Sequence, residues 1–201
     1  MSGRNVAIID CGGANIASLT NALDRQGIVS ELTRDAITIR EASHVILPGV
    51  GAAADTMEKL SANQLLDIIP KLSQPVLGIC LGMQLLAESS DEDQEKCLGI
   101  IPTSAQKLQA SPQMPVPNIG WCQVHQNGSH ELFAGIDDDS YFYFVHSFAI
   151  AEGSYTIATA DHAESFTAVL AQDNFFATQF HPERSAAAGA RLLKNFLGIE
   201  S

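Results

Sequence analysis

Pro75-Val76-Leu77-Gly78-Ile79-Cys80-Leu81-Gly82-Met83-Gln84-Leu85-Leu86 is the stretch that decides the fold. Pro75 to Ile79 is a short apolar run, the pattern of a strand buried on both faces. Leu81 to Glu88 then reads as a helix with Leu81, Leu85 and Leu86 turned inward. Cys80 sits at the junction, with a glycine two residues before it and another two residues after. Such glycines permit the tight, strained strand-to-helix turn called a nucleophile elbow. The turn lifts the cysteine clear of the sheet at a helix N-terminus, where partial positive charge favours thiolate over thiol. The N–H of Leu81 then faces the same pocket and suits an oxyanion. A buried structural cysteine between strand and helix is the plainer alternative.

Working outward, the same strand–helix rhythm recurs toward the N-terminus. Val6-Ala7-Ile8-Ile9 reads as a strand broken by Gly12-Gly13. A helix follows, with Ile16, Leu19 and Leu23 on one face, and Gly27 stands where a helix ends. Ile28 to Leu32 and His44 to Leu47 read as two more strands, the second stopped by Pro48-Gly49. Residues 52–69 read as helical in two pieces. Repeated strand and helix imply a parallel sheet with helices on its faces. In such a sheet, the Leu47-Pro48-Gly49-Val50-Gly51 turn lies at the same carboxyl edge as Cys80. Its glycines would let backbone N–H groups approach a ligand closely. A plain strand-to-helix turn fits the same residues.

The texture changes after residue 90. Glu88 to Glu95 carries five acids among eight residues and reads as a solvated loop. From Ile100 to Gln179 short apolar runs dominate, such as Tyr141 to Val145, Phe166 to Leu170 and Phe175 to Phe180. They imply an antiparallel or mixed sheet joined to the first. Ser111 to Pro117 is an irregular connector. A last helix spans about Ser185 to Leu197, with Leu192, Leu193, Phe196 and Leu197 on one face.

A thiolate nucleophile needs a proton carrier. Among six histidines, only His181 has a distinctive context, in Phe180-His181-Pro182-Glu183 at the end of an apolar run. The proline biases His181 to extended geometry and carries it out of the strand end. Glu183 is placed to bond one imidazole nitrogen and leave the other for Cys80. A surface turn accounts for this motif, taken alone, equally well.

Composition removes other classes. The 201 residues hold 11 Lys plus Arg against 23 Asp plus Glu, a formal net charge of −12. That argues against nucleic acid or an anionic membrane as the main ligand. No apolar run approaches the ~20 residues needed to span a bilayer, and the N-terminus lacks a signal-peptide pattern. Cys11, Cys80, Cys97 and Cys122 are widely spaced without a Cys-x-x-Cys pair, which points to a reducing, cytoplasmic setting. Gly12-Gly13 lacks the full dinucleotide glycine spacing and has no lysine for phosphate, so it reads as a turn. His125 and His130 have no cysteine pair beside them, and no metal is expected there. Cys11, Cys97 and Cys122 read as structural.

With Cys80, His181 and Glu183 in view, the chain resembles the class I glutamine amidotransferases. Their signatures are a Gly-x-Cys-x-Gly elbow and a His-Pro-Glu turn. Pro48-Gly49-Val50-Gly51, Gly78 to Gln84, Ile119-Gly120-Trp121, Tyr143 to Ser147 and Gln179 to Ser185 occur in that order. The ordered set is similar to one branch of that family, the glutaminase subunits of imidazole glycerol phosphate synthases. Val50 is the discriminating residue, since other branches usually show Pro-Gly-Gly or Pro-Gly-Pro. The resemblance covers essentially the whole chain. It implies a single glutamine amidotransferase type 1 domain over residues 1–201. The implied fold is α/β and flavodoxin-like in three layers, a central mostly parallel sheet with helices on both faces plus a smaller antiparallel sheet.

The resemblance also implies roles. Cys80, His181 and Glu183 would be the catalytic triad. Val50, Gly51 and Leu81 would form the oxyanion hole. Gly49, Gln84, His146, Ser147 and Phe148 would seat L-glutamine. The ammonia would pass to a synthase (cyclase) subunit in a heterodimer, with no cofactor. Asn15 and Trp121 are candidates for the partner interface. Two residues depart from the pattern: Cys122, where asparagine is common, and Phe148, where tyrosine is commoner. An amidotransferase for another acceptor, a non-catalytic subunit on the same fold, and a stand-alone cysteine hydrolase are the competing readings.

Overall fold

The computed structural model describes residues 5–12, 15–49 and 51–200. The Gly13 half of the expected glycine turn lies outside them, whereas Gly12 adopts a φ of +73°. The chain begins with β1 (Asn5–Ile9), α1 (Ile16–Asp24), β2 (Val29–Thr33), α2 (Ala36–Glu41), β3 (His44–Gly49) and α3 (Ala53–Ala62). A 3-10 turn at Ile69–Lys71 precedes β4 (Val76–Cys80) and α4 (Leu81–Leu86). Three strands come next, β5 (Ala87–Ser90), β6 (Glu95–Lys96) and β7 (Ile101–Lys107). They lead to β8 (Asn118–Gln126), β9 (Ser140–His146), β10 (Phe148–Ile150) and β11 (Thr156–His162). The chain closes with β12 (Glu164–Gln172), β13 (Phe175–Thr178) and α5 (Ala186–Phe196).

One sheet runs β2-β1-β3-β4-β13-β12-β11-β8-β9. The pairs from β2 to β13 are parallel, and those from β13 to β9 are antiparallel. The parallel strands are apolar because both faces are covered; every residue of β4 and β13 is buried. Alternation along each strand divides the core in two. Val6, Ile8, Ile46, Leu77 and Ile79 pack with Leu19 of α1 and Leu193 of α5. Ala7, Ile9, Val45, Leu47 and Val76 face the other side, with Ile39 of α2 and Leu60 of α3.

The second sheet, β10-β7-β5-β6, corrects the expectation of an antiparallel one. Its outer pairs are antiparallel, but β5 runs parallel to β7. The reason lies at α4. The expected helix to Glu88 stops at Leu86, and Ala87 turns to extended geometry with ψ 173°. All six residues of α4 are buried, so its direction is set by packing on every side. The chain then enters β5 heading the same way that β7 later takes. The acidic stretch read as a loop is thus partly a β5–β6 hairpin. Helical residues 52–69 likewise contract to α3 and the 3-10 turn.

Candidate active site

The strand order reverses around β1, which has β2 on one side and β3 on the other. Open α/β sheets bind ligands outside the carboxyl ends of strands at such a point. Asn15 follows β1, Gly49 ends β3, Cys80 ends β4 and His181 follows β13. Register places Gly49 opposite Cys80, and Thr178 opposite Ile79. The motifs that lie far apart in sequence therefore share one edge.

Cys80 holds φ +53° and ψ −108°, a strained conformation for a residue with a Cβ. Its neighbouring glycines are steric requirements. A Cβ on Gly78 would stand 2.8 Å from the Gly82 oxygen, and one on Gly49 would stand 2.6 Å from the Gly82 nitrogen. The turn after β3 is thereby pressed against the elbow. Cys80 Sγ donates to the Val145 oxygen at 3.6 Å and receives the Gln179 side-chain amide at 3.8 Å.

His181 leaves β13 in extended geometry, as its proline dictates, and Pro182–Arg184 forms a 3-10 turn. The turn folds Glu183 back, so that His181 Nδ1 donates to Glu183 Oε1 at 2.9 Å. Both side chains are almost fully buried. Asn15 Nδ2 also donates to Glu183 Oε1. Glu183 Oε2 is buried without a hydrogen-bond partner among the described residues. Burial opposes charge on His181. Its hydrogen bonds to Cys80 and Glu183, and their negative charges, outweigh that cost and push it up to about 10. His181 is thereby held between the Cys80 sulfur and the Glu183 carboxylate.

Cys80 and His181 open on a cavity of about 700 Å³, lined among others by Gly49, Gly51, Leu81 and Gln84. Ser147 and Phe148 also line it. Gly51 has φ +102°, while Val50 lies outside the described residues. Gln84 Nε2 donates to the Phe148 oxygen at 3.1 Å and to Gln179 Oε1 at 3.4 Å. The ring of His146 turns inward against Phe144 and Phe166, although the residue borders the cavity. Its Nδ1 donates to the Phe148 oxygen at 2.9 Å and its Nε2 meets Asn118 Nδ2 at 3.1 Å.

Three residues escape the sequence reading. Asn15, marked only as an interface candidate, touches Glu183, 168 positions away. Gln179 lies at the strand end and reads as strand, yet it donates to the Cys80 sulfur. Glu92, hidden in the acidic run, lines the cavity and accepts from the Ala53 N–H at 2.8 Å. Trp121 is half exposed and stacks edge-on to Tyr143 at 5.9 Å. The remaining histidine pair is separate: His125 meets Asp139, and His130 accepts from the Leu132 N–H.

Residues 7–199 match the class I glutamine amidotransferase family. The chain is 50% identical over 196 residues to "Imidazole glycerol phosphate synthase subunit HisH 2" of Legionella pneumophila, covering 98% of each. It is 48% identical over 198 residues to the subunit HisH of Photorhabdus laumondii, covering 96% of this chain and 98% of that one. The crystal structure of a glutamine amidotransferase from Thermotoga maritima superposes with a TM-score of 0.67 at 19% identity. The match covers 98% of this chain and 83% of that one, and at that identity the likeness concerns the fold.

Proposed function

Since the chain belongs to the class I glutamine amidotransferase family, we propose that it is the glutaminase component of an imidazole glycerol phosphate synthase, acting in histidine biosynthesis. The observation that carries the chemistry is the convergence of Cys80 and His181 at one cavity, from strand ends that chain order separates, with Glu183 bonded to His181 behind it.

The mechanism follows from the groups present. The Cys80 sulfur attacks the side-chain amide carbon of glutamine. The carbonyl oxygen becomes an oxyanion, held by the N–H of Leu81 and an N–H of the Val50–Gly51 turn. His181, protonated and oriented by Glu183, delivers its proton to the departing nitrogen, and ammonia leaves. A thioester on Cys80 remains. Neutral His181 then takes a proton from water, whose oxygen attacks the thioester. Glutamate is released and the thiolate–imidazolium pair is restored. Gly49, Gln84, Ser147 and Phe148 border the glutamine site, and His146 supports its wall. Glu92 is the one carboxylate among the described residues of that lining, which suits the α-ammonium of the substrate.

Among the described residues the cavity lining carries one arginine, Arg184, and no basic cluster for a phosphorylated acceptor. The acceptor therefore belongs to a second polypeptide, the synthase (cyclase) subunit, in a heterodimer. Its docking face is the outer side of β8 and β9. Strand alternation puts Ile119 and Trp121 there, with Tyr141 and Tyr143 beside them. Ile119 is 61% exposed, Trp121 50% and Tyr141 54%. Apolar and aromatic residues at this exposure mark an interaction surface. The face is continuous with the cavity through Val145, so ammonia has a short path across the contact. On this reading one domain spans residues 1–201 and works in the cytoplasm. Among the described residues no helix is long and apolar enough to cross a membrane.

The purified chain is tested with glutamine, first alone and then with the ligand-bound synthase partner. Glutamate release rises steeply in the complex. Turnover that persists undiminished in Cys80→Ala overturns the mechanism. Stimulation by an anthranilate or carbamoyl phosphate synthase, and none by the imidazole synthase, overturns the partner.

A further inference from the structure

A continuous chain of hydrogen bonds links Cys122 to the Cys80 sulfur, with donors from both directions meeting at the Phe148 oxygen. Cys122 Sγ donates to Asn118 Oδ1 at 3.7 Å. That leaves Asn118 Nδ2 facing His146 Nε2 at 3.1 Å. On the other side of the ring, Nδ1 lies 2.9 Å from the Phe148 oxygen, a pure acceptor. Nδ1 therefore carries the hydrogen. In a neutral imidazole, Nε2 is then an acceptor, which matches the Asn118 amide as oriented.

The same logic continues. The Phe148 oxygen also accepts from Gln84 Nε2 at 3.1 Å. The second hydrogen of that nitrogen points to Gln179 Oε1 at 3.4 Å. Gln179 then has its own amide nitrogen free to donate to Cys80 Sγ at 3.8 Å. Each orientation is consistent with the next, and every member except Cys122 and Phe148 is buried.

We propose that His146, as the neutral Nδ1–H tautomer set by Asn118 and Cys122, is a positioning residue: it fixes the Phe148 carbonyl, and so orients the Gln84 and Gln179 amides that steady the Cys80 sulfur. The inference rests on the glutaminase reading for its catalytic meaning but not for its geometry. Burial supports the neutral ring, since it holds His146 down at about 4; the Phe148 bond opposes this, and the charges of His162 and His181 add to it. Burial also raises the Cys122 thiol, with the Asn118 bond opposing, which keeps its hydrogen in place as donor.

Two measurements on the full chain decide it. The first is ¹⁵N NMR of histidine-labelled protein, with His146 assigned by its loss in His146→Gln. Nε2 is expected to be unprotonated and Nδ1 protonated throughout pH 5 to 8. A ring protonated at Nε2 overturns the proposal. The second is the pH profile of Cys80 alkylation by iodoacetamide, followed by mass spectrometry of the Cys80 peptide. Asn118→Asp replaces the donor with an acceptor, draws a proton onto Nε2 and raises the His146 titration by ~1–3 pH units. Cys80 alkylation is then expected to slow roughly 10- to 100-fold with a displaced profile. Cys122→Ala is expected to slow it roughly two- to tenfold, and Cys122→Ser, which keeps a donor, to restore it. Should Asn118→Asp fail to fold, the native tautomer and the Cys122 pair still decide. Wild-type alkylation in both Asn118→Asp and Cys122→Ala overturns the relay. Neither readout uses glutamine, so loss of the glutaminase reading and loss of the relay are seen separately.

Discussion

Gly82 lies so close to Leu47 that a Cβ placed on it would stand 1.9 Å from the Leu47 carbonyl oxygen. The contact locks the first turn of α4 against the end of β3, and with it the strained Cys80 conformation. Backbone atoms form the obstacle, so no rotamer change relieves it. Gly82→Ala is therefore expected to separate α4 from β3. Overpacking against backbone sets the scale of the loss, roughly 1–3 kcal/mol or more. Thermal unfolding would show a lower midpoint, and Cys80 would lose its selective reactivity toward a glutamine-analogue electrophile. A variant with native midpoint and labelling would refute this account of the elbow.

The two buried histidines of the site push stability in opposite directions with pH. His181 is raised from 6.5 to about 10, so the folded state holds the extra proton between those values. Its contribution is complete below pH 6.5 and disappears as pH climbs through about 10. His146 is lowered from 6.5 to about 4, so the unfolded state binds the proton more readily. Stability is then lost as pH falls from 6.5 toward 4. A maximum near pH 6.5 is expected in denaturant midpoints. Cys80→Ala removes the sulfur that raises His181, and should flatten the alkaline limb while leaving the acid limb.

The parts of this fold that were legible in sequence are those whose pattern is dictated locally. β1, β3, β4 and β13 are covered on both faces, and they appear as continuous apolar runs. The elbow and the His181–Glu183 turn are short motifs whose geometry is fixed by glycine and proline. The small sheet entered through the family resemblance, and its strand bounds and its parallel β5–β7 pair were not legible locally. Ala87–Ser90 and Ile101–Lys107 alternate weakly between buried and exposed, and β10 has three residues. Their strand state comes from pairing with each other, not from propensity. Asn15 and Glu92 were invisible as site residues for a related reason. Their partners lie at Glu183 and Ala53, contacts that only the folded sheet edge creates.

Glu183 converges with Asn15 on one side and His181 on the other through a single oxygen, Oε1. Removing its charge leaves the imidazole without the partner that selects its tautomer. Glu183→Gln is expected to lower glutamate release by ~10²–10⁴-fold, the scale seen when a triad carboxylate becomes an amide. The loss should appear in kcat, with KM for glutamine little changed, because Glu183 does not line the cavity. Steady-state kinetics of the assembled complex give the split. An effect confined to KM would place Glu183 in substrate binding instead.

Trp121 tests the docking face. It stands opposite Tyr143 in the β8–β9 register, and the Arg184 guanidinium lies 5.2 Å from the Tyr143 ring on the same surface. Half-exposed tryptophan next to tyrosine and arginine has the composition of an interface centre, where a few aromatic anchors carry most of the binding energy. Trp121→Glu exchanges that anchor for a carboxylate that must be desolvated on contact. With a loss of about 2 kcal/mol or more typical of such a centre, the dissociation constant of the heterodimer should rise about 30-fold or more. Analytical ultracentrifugation across a dilution series measures it. The control is Val29→Glu on β2, the far edge strand of the large sheet, where a still more exposed apolar residue lies away from the cavity. Equal weakening by both substitutions would mean that charge alone disturbs association. Weakening by Val29→Glu only would move the docking face to the opposite end of the sheet.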